Sequence, residues 1–211
     1  MQSSKQRRSS WSKYLSPWAL VAAGTILLAA PALAATPGES IKNLVEEVLA
    51  IIHDPALQTP AQKEQRVARV EKAADRLFDY REMARRCLGD TWDRLSQAQQ
   101  QEFAAVFTAL LKTSFACRLD ELAKAQVSYQ PEIVKADYTE VAITILRPND
   151  KIPVNFRLLK EPQGWMIYDL VIQGVSLTDN YRSQFARVIQ GASYQELIGC
   201  LQAKMKEECQ P

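Results

Sequence analysis

The 211-residue chain contains one histidine, His53, four cysteines and seven glycines, and these bound the chemistry it can do. His53 stands before Asp54 and Pro55 at what reads as a helix end, where a cation suits the helix dipole. With no second imidazole, a Ser/His/Asp or Cys/His catalytic set would have to use this one residue. Gly174-Val175-Ser176 resembles the front of a nucleophile elbow, but Thr178 occupies the place of the closing glycine, and the stretch leaves a strand meander rather than a parallel sheet. Ser176 is therefore not read as a nucleophile. Cys87, Cys117, Cys200 and Cys209 contain no C-x-x-C spacing, so a zinc site is not expected. Four cysteines allow three disulfide pairings. Cys87–Cys117, stapling neighbouring helices, with Cys200–Cys209 tying down the tail, is the preferred one. The glycines form no phosphate-cradling loop, and the acidic pairs Asp120/Glu121 and Glu207/Glu208 read as solvated helix faces. No catalysis is expected.

What the residues offer instead is apolar surface, and the elements that carry it are punctuated clearly. Ile41, Leu44, Val45, Val48, Leu49 and Ile52 recur at helical spacing until His53-Asp54-Pro55 stops the helix. Thr59-Pro60, with Gln62, starts a second helix with Val67, Val70, Ala74 and Leu77 as its stripe. Asp79 with Glu82 caps a short helix that Gly89 terminates, and Ser96 with Gln99 opens a long helix carrying Phe103, Val106, Phe107, Leu110, Leu111, Ser114 and Phe115. Past Ala125 the period changes to two. Val127 to Val134 forms a strand interrupted at Pro131. The alternating stretch Tyr138 to Leu146 follows, then strands through Ile152–Leu158 and Trp165–Ile172 joined by proline-containing turns. Helix returns at Asn180, and Ser193 with Glu196 caps the last one.

Helices, then strands, then helices predict an α+β domain in which helices pack on a curved antiparallel sheet. The apolar faces can be plain core, or they can fail to close and leave an apolar cavity that takes apolar cargo by excluding water. A cavity enzyme is a third possibility, but it requires a polar acid/base cluster that the apolar faces lack. A packed interaction module predicts no cavity at all.

The amino terminus sets the compartment. Lys5, Arg7, Arg8 and Lys13 precede a largely apolar run from Leu15 to Leu28, and Ala32 and Ala34 supply a small-x-small cleavage signature. We expect residues 1–34 to be a secretory signal peptide, cleaved after Ala34 or Ala35, and 35–211 to be a single domain in the periplasm. Removing four basic residues changes the balance from 26 against 24 to 22 against 24, so the net charge passes from +2 to −2. No basic stripe for nucleic acid and no polybasic membrane patch remains.

Two stretches distinguish the alternatives. One is Phe78-Asp79-Tyr80-Arg81-Glu82-Met83-Ala84 with Leu88-Gly89 and Trp92, followed by Glu102-Phe103 through Phe115. The other is Trp165-Met166-Ile167-Tyr168-Asp169 running into Gly174-Val175-Ser176-Leu177 and Asn180-Tyr181-Arg182-Ser183-Gln184-Phe185. In order and spacing they resemble the toluene-tolerance or MlaC family of periplasmic phospholipid-binding proteins, from about Ile41 to Leu201. The resemblance implies a monomeric carrier without cofactor whose cargo is phospholipid. It would shuttle lipid between an outer-membrane lipoprotein complex and an inner-membrane ABC transporter with an MCE-domain partner, maintaining outer-membrane lipid asymmetry. It also implies acyl chains lying between helices and sheet with the headgroup at the mouth. The helical residues expected at the lipid are Phe103, Phe107, Leu110, Leu111 and Phe115. Those on the sheet are Val141, Ile143, Val154, Phe156, Leu158, Ile167 and Tyr168, with Trp165 and Phe185 as a second tier. Arg182 is expected to pair with Asp169 or a helix carboxylate, or to reach a phosphate.

Overall fold

The computed structural model describes residues 35–207. The expected signal segment, Glu208 and Cys209 lie outside the described residues. Helix α1 (Pro37–His53) begins with a capping box between Thr36 and Glu39 and ends where Pro55 forbids another turn. A pair of single 3-10 turns leads into α2 (Lys63–Ala74). Thr59 does not cap as expected: its hydroxyl bonds the Gln62 side chain instead of a backbone amide, and α2 starts after Gln62. Helix α3 (Tyr80–Leu88) is capped by Asp79, whose carboxylate accepts from Glu82 N at 2.9 Å. The long helix α4 (Gln97–Ala116) opens on the Ser96/Gln99 capping box, and the short α5 (Leu119–Leu122) follows it.

The strands β1 (Gln126–Tyr129), β2 (Ile133–Lys135), β3 (Tyr138–Arg147), β4 (Asp150–Glu161), β5 (Gly164–Ile172) and β6 (Val175–Ser176) form one antiparallel sheet in the order β1-β3-β4-β5-β6, with β2 also on β3. Val141, Ile143 and Ile145 lie on one face of β3, opposite Phe156, Val154 and Ile152 of β4. The register slips in the β4–β5 pair: Arg157 faces Asp169 but Leu158 faces Ile167, so Tyr168 is bulged out of the ladder. The slip turns both Ile167 and Leu170 into the core. Tyr168 instead lies under the Arg86 guanidinium, 3.9 Å from ring centre to Cζ, and edge-on to Tyr138.

Helix α6 (Leu177–Gly191) begins three residues before the expected Asn180, because Ser176 is its cap; α7 (Tyr194–Glu207) follows with Ser193 accepting from Glu196 N. The Trp-x-x-Tyr-Asp…Gly-Val-Ser stretch has a structural explanation. Gln173 and Gly174 both take positive φ, as a tight two-residue hairpin requires, and this returns Ser176 to Asp169. Asp169 is buried and accepts from Ser176 Oγ at 2.7 Å, Thr178 N at 3.0 Å and Arg157 Nη1 at 3.2 Å. One carboxylate thus fastens β4, β5 and the start of α6. Its cation is Arg157, not the expected Arg182. Arg182 lies against Gly89 at the carboxyl end of α3, where a Cβ would come within 2.8 Å of its Nη2 and where the helix dipole favours a cation.

Two apolar clusters result. An aromatic one joins α3, α4, α6 and α7: Phe103 stacks on Phe107 and meets Phe185 edge-on, and Phe107 meets Tyr181 edge-on. An aliphatic one joins α1 and the inner face of the sheet through Ile41, Leu44, Val141, Leu158 and Ile167. Neither expected disulfide forms. Cys87 is buried and free, Cys200 is exposed and free, and Cys117 is disulfide-bonded. Cys87 belongs to the aromatic cluster, and burial, followed by the charges of Asp169 and Asp179, raises its thiol pKa.

Candidate functional site: an apolar cavity between two cores

Between the clusters lies an open cavity of about 640 Å³. That is within the range of small-molecule sites, and its wall is overwhelmingly apolar. Several wall residues belong to the clusters themselves, among them Leu44, Leu111, Ile143, Val154, Phe156 and Leu170. Ile41 and Ile52 of α1 are buried away from the cavity, while Leu44, Val45, Val48 and Leu49, on the neighbouring arc, line it. From α2 come Val67, Val70 and Ala74, all only half-buried because they border the open cavity. The last turns of α4 add Leu111 and Phe115, and α5 adds Leu119 and Leu122. The sheet supplies Val127, Ile143, Ile145, Ile152, Val154, Phe156, Leu170 and Ile172.

Of the residues expected at the lipid, the structure brings Leu111, Phe115, Ile143, Val154 and Phe156 together around the cavity. It does not place the others there. Phe103, Phe107, Leu110 and Phe185 fill the aromatic cluster, since α4 turns that arc toward α3, α6 and α7. Val141, Leu158 and Ile167 pack in the aliphatic cluster further along the sheet, and Trp165 packs against it. Tyr168 is removed by the bulge. The contributions of α1, α2 and α5 were missed. Their signal was present in α1, whose apolar arc is wider than one core contact needs.

Polar groups are few and mostly paired. Lys112 bridges Asp75 at 2.6 Å and Glu71 at 4.0 Å, and its Nζ lies 5.4 Å from the Tyr80 ring centre. Burial, then the neighbouring Asp75, raises the Tyr80 hydroxyl pKa and keeps it protonated. Helix α5 closes one end of the cavity and is held by three ties. Arg66 meets Asp120 at 2.5 Å, Arg147 meets Glu121 at 3.0 Å, and His53 Nε2 donates to Ala123 O at 2.7 Å. Among the described residues no group of histidines, cysteines or carboxylates could hold a metal ion, and no helix is long and apolar enough to cross a membrane. The arrangement can sequester an apolar chain from water.

A search of curated proteins gave no match. Among solved structures, the fold is similar to a phospholipid-binding protein from Ralstonia solanacearum determined in complex with a phospholipid. The TM-score is 0.73 at 26% identity, covering 83% of this chain and 100% of that one. A family model described as "MlaC protein" matches residues 42–203, which takes in all of the cavity lining except Lys204. The chain belongs to the MlaC family.

Proposed function

We propose that the protein is a soluble periplasmic phospholipid carrier. It loads and unloads at an outer-membrane lipoprotein complex and at an inner-membrane ABC transporter with an MCE-domain partner, and so maintains outer-membrane lipid asymmetry. The observation that carries this reading is the open apolar cavity of about 640 Å³ lying between two separate cores. A similar fold in Ralstonia solanacearum holds a phospholipid. The basic lead and the Ala32-x-Ala34 signature support export. Burying an acyl chain is worth roughly 0.8 kcal/mol per CH₂, so spontaneous release into water is slow and partners must open the cavity.

Native mass spectrometry of the mature protein from a Gram-negative periplasm, followed by lipid extraction, tests the reading. Near-stoichiometric phospholipid is expected. A bare protein that also takes up no phospholipid from vesicles would refute it. Val154→Trp, which fills the cavity from the sheet side, should abolish uptake while the fold persists.

A further inference from the structure

We infer that Arg147 and Arg118, with the Ser114 hydroxyl, form the subsite that holds the phosphodiester of the bound lipid; this rests on the carrier reading above. Buried polar atoms are almost always hydrogen-bonded, so those without partners demand an explanation. Ser114 Oγ and Arg147 Nε are both buried without a partner, and both residues line the cavity. Glu121 occupies only the Nη2 edge of Arg147, leaving Nε to donate elsewhere.

Charge points the same way. The cavity wall contains Lys112, Arg118, Arg147 and Lys204 against Glu71 and Glu121, a balance of 4 − 2 = +2 in a mature chain whose net is −2. Lys112 is neutralised by Asp75 and Glu71, and Lys204 lies over the Tyr181 ring. Arg118 forms no ion pair among the described residues. Placement brings the three groups to one end. Ser114 is in the last turn of α4 and Arg118 follows four residues later, just ahead of α5. Arg147 is the final residue of β3, on the same face as Ile143 and Ile145, and its tie to Glu121 draws it to α5. A singly charged phosphodiester offers oxygen acceptors to a guanidinium fork and to a hydroxyl, whereas acyl chains need only the apolar wall beyond.

The test measures transfer from vesicles into the mature protein of phosphatidylglycerol and of a diacylglycerol with the same chains but no phosphate. Wild type should prefer the phospholipid by about tenfold or more, a difference typical of charge-assisted hydrogen bonds. Arg147→Gln and Arg118→Gln should each cut phospholipid affinity about tenfold, with a much smaller fall for diacylglycerol, and Ser114→Ala should cut it about threefold. Glu121→Gln breaks the same ion pair but frees the guanidinium, so it should strengthen phospholipid uptake. This separates headgroup binding from loss of the α5 tie. Equal loss of both lipids in the arginine variants, or no loss in either, overturns the inference while leaving the carrier reading intact. So does inorganic phosphate bound at Arg147 without any preference between the two lipids, which would mark a free-anion site. Uptake of neither lipid by wild type fails the carrier reading, and the inference falls with it.

Discussion

Phe107→Ala and Phe115→Ala delete the same ring from the same helix, about two turns apart, and should have opposite consequences. Phe107 has no exposed surface and touches three other rings, Phe103 at 5.9 Å, Tyr181 at 5.4 Å and Phe185 at 6.0 Å between centres. Deleting a ring so enclosed loses its transfer free energy and leaves a cavity that α3, α6 and α7 cannot collapse, a loss of about 3–5 kcal/mol. For a domain of this size that lowers Tm by roughly 10 °C. Phe115 is 42% exposed and already borders empty space, so its deletion creates little new void and should change stability by less than about 1.5 kcal/mol. Its ring is part of the wall, however, so phospholipid uptake should weaken. Urea unfolding and vesicle transfer, run on both variants, read the two effects separately. A stable Phe107→Ala protein with lost uptake would mean that the lipid site extends into the aromatic cluster. It would refute the division of α4 into core and cavity faces.

Asp169→Ala strips three donors of their acceptor inside the protein and should destabilise by about 3–5 kcal/mol in urea titration, whereas Arg157→Ala, at the half-exposed end of the same network, should cost well under half of that. Equal effects would mean that the carboxylate is not the fastening group. Burial alone would raise the pKa of Glu82, but hydrogen bonds from Arg85 and Arg86 outweigh it and the pKa is lowered. A depressed carboxylate contributes stability above its unfolded pKa and loses it as pH falls through the folded one. Glu82→Gln should therefore destabilise slightly at pH 7, by under about 1 kcal/mol, and not at all near pH 2. A penalty that persists in acid would contradict this. Native thiol titration should label Cys200 rapidly and Cys87 only on unfolding, with Cys117 reactive only after reduction. Fast labelling of Cys87 in the native state would show that the aromatic cluster opens.

Features decided locally were legible in the sequence. The caps at Asp79, Ser96 and Ser193 each need only a side chain and an amide three residues away, and the α1 stop needs only Pro55. Features decided by pairing across the chain were not. Alternation along Trp165–Ile172 cannot show that Tyr168 is bulged, because the bulge exists only relative to β4. Nor can the periodicity of α4 show which part of a wide apolar arc meets another helix. Phe103, Phe107, Leu111 and Phe115 look equivalent until α6 and α7, about 70 residues later, cover one side. The disulfide pairing failed for the same reason. Cys87 and Cys117 sit on neighbouring helices, but Cys87 points into the aromatic cluster, and proximity of elements does not fix direction of side chains.

The half-buried residues of α2 show why the cavity can exist without undermining the fold. Val67 and Val70 carry enough apolar surface to complete a core, yet they line the cavity and belong to neither cluster. The aromatic cluster is closed by four helices and the aliphatic one by α1, Ala73 of α2 and the sheet. What spans the gap at one end is α5, whose polar ties to α1, α2 and β3 are two ion pairs and one hydrogen bond and whose Leu119 is buried. The ties made by Arg147 and His53 are each worth about 1 kcal/mol or less, and that of the buried Arg66 is worth more but still well below the energy that holds either cluster. The domain can thus widen its cavity at this end by releasing these polar ties together with the apolar contacts of Leu119, without opening either cluster. A carrier that must admit and surrender an apolar cargo while staying folded needs that ordering of strengths. Replacing the Arg66–Asp120 pair with an engineered disulfide across the same gap should leave stability at least as high while slowing phospholipid exchange with vesicles several-fold. Unchanged exchange would show that the cargo passes elsewhere.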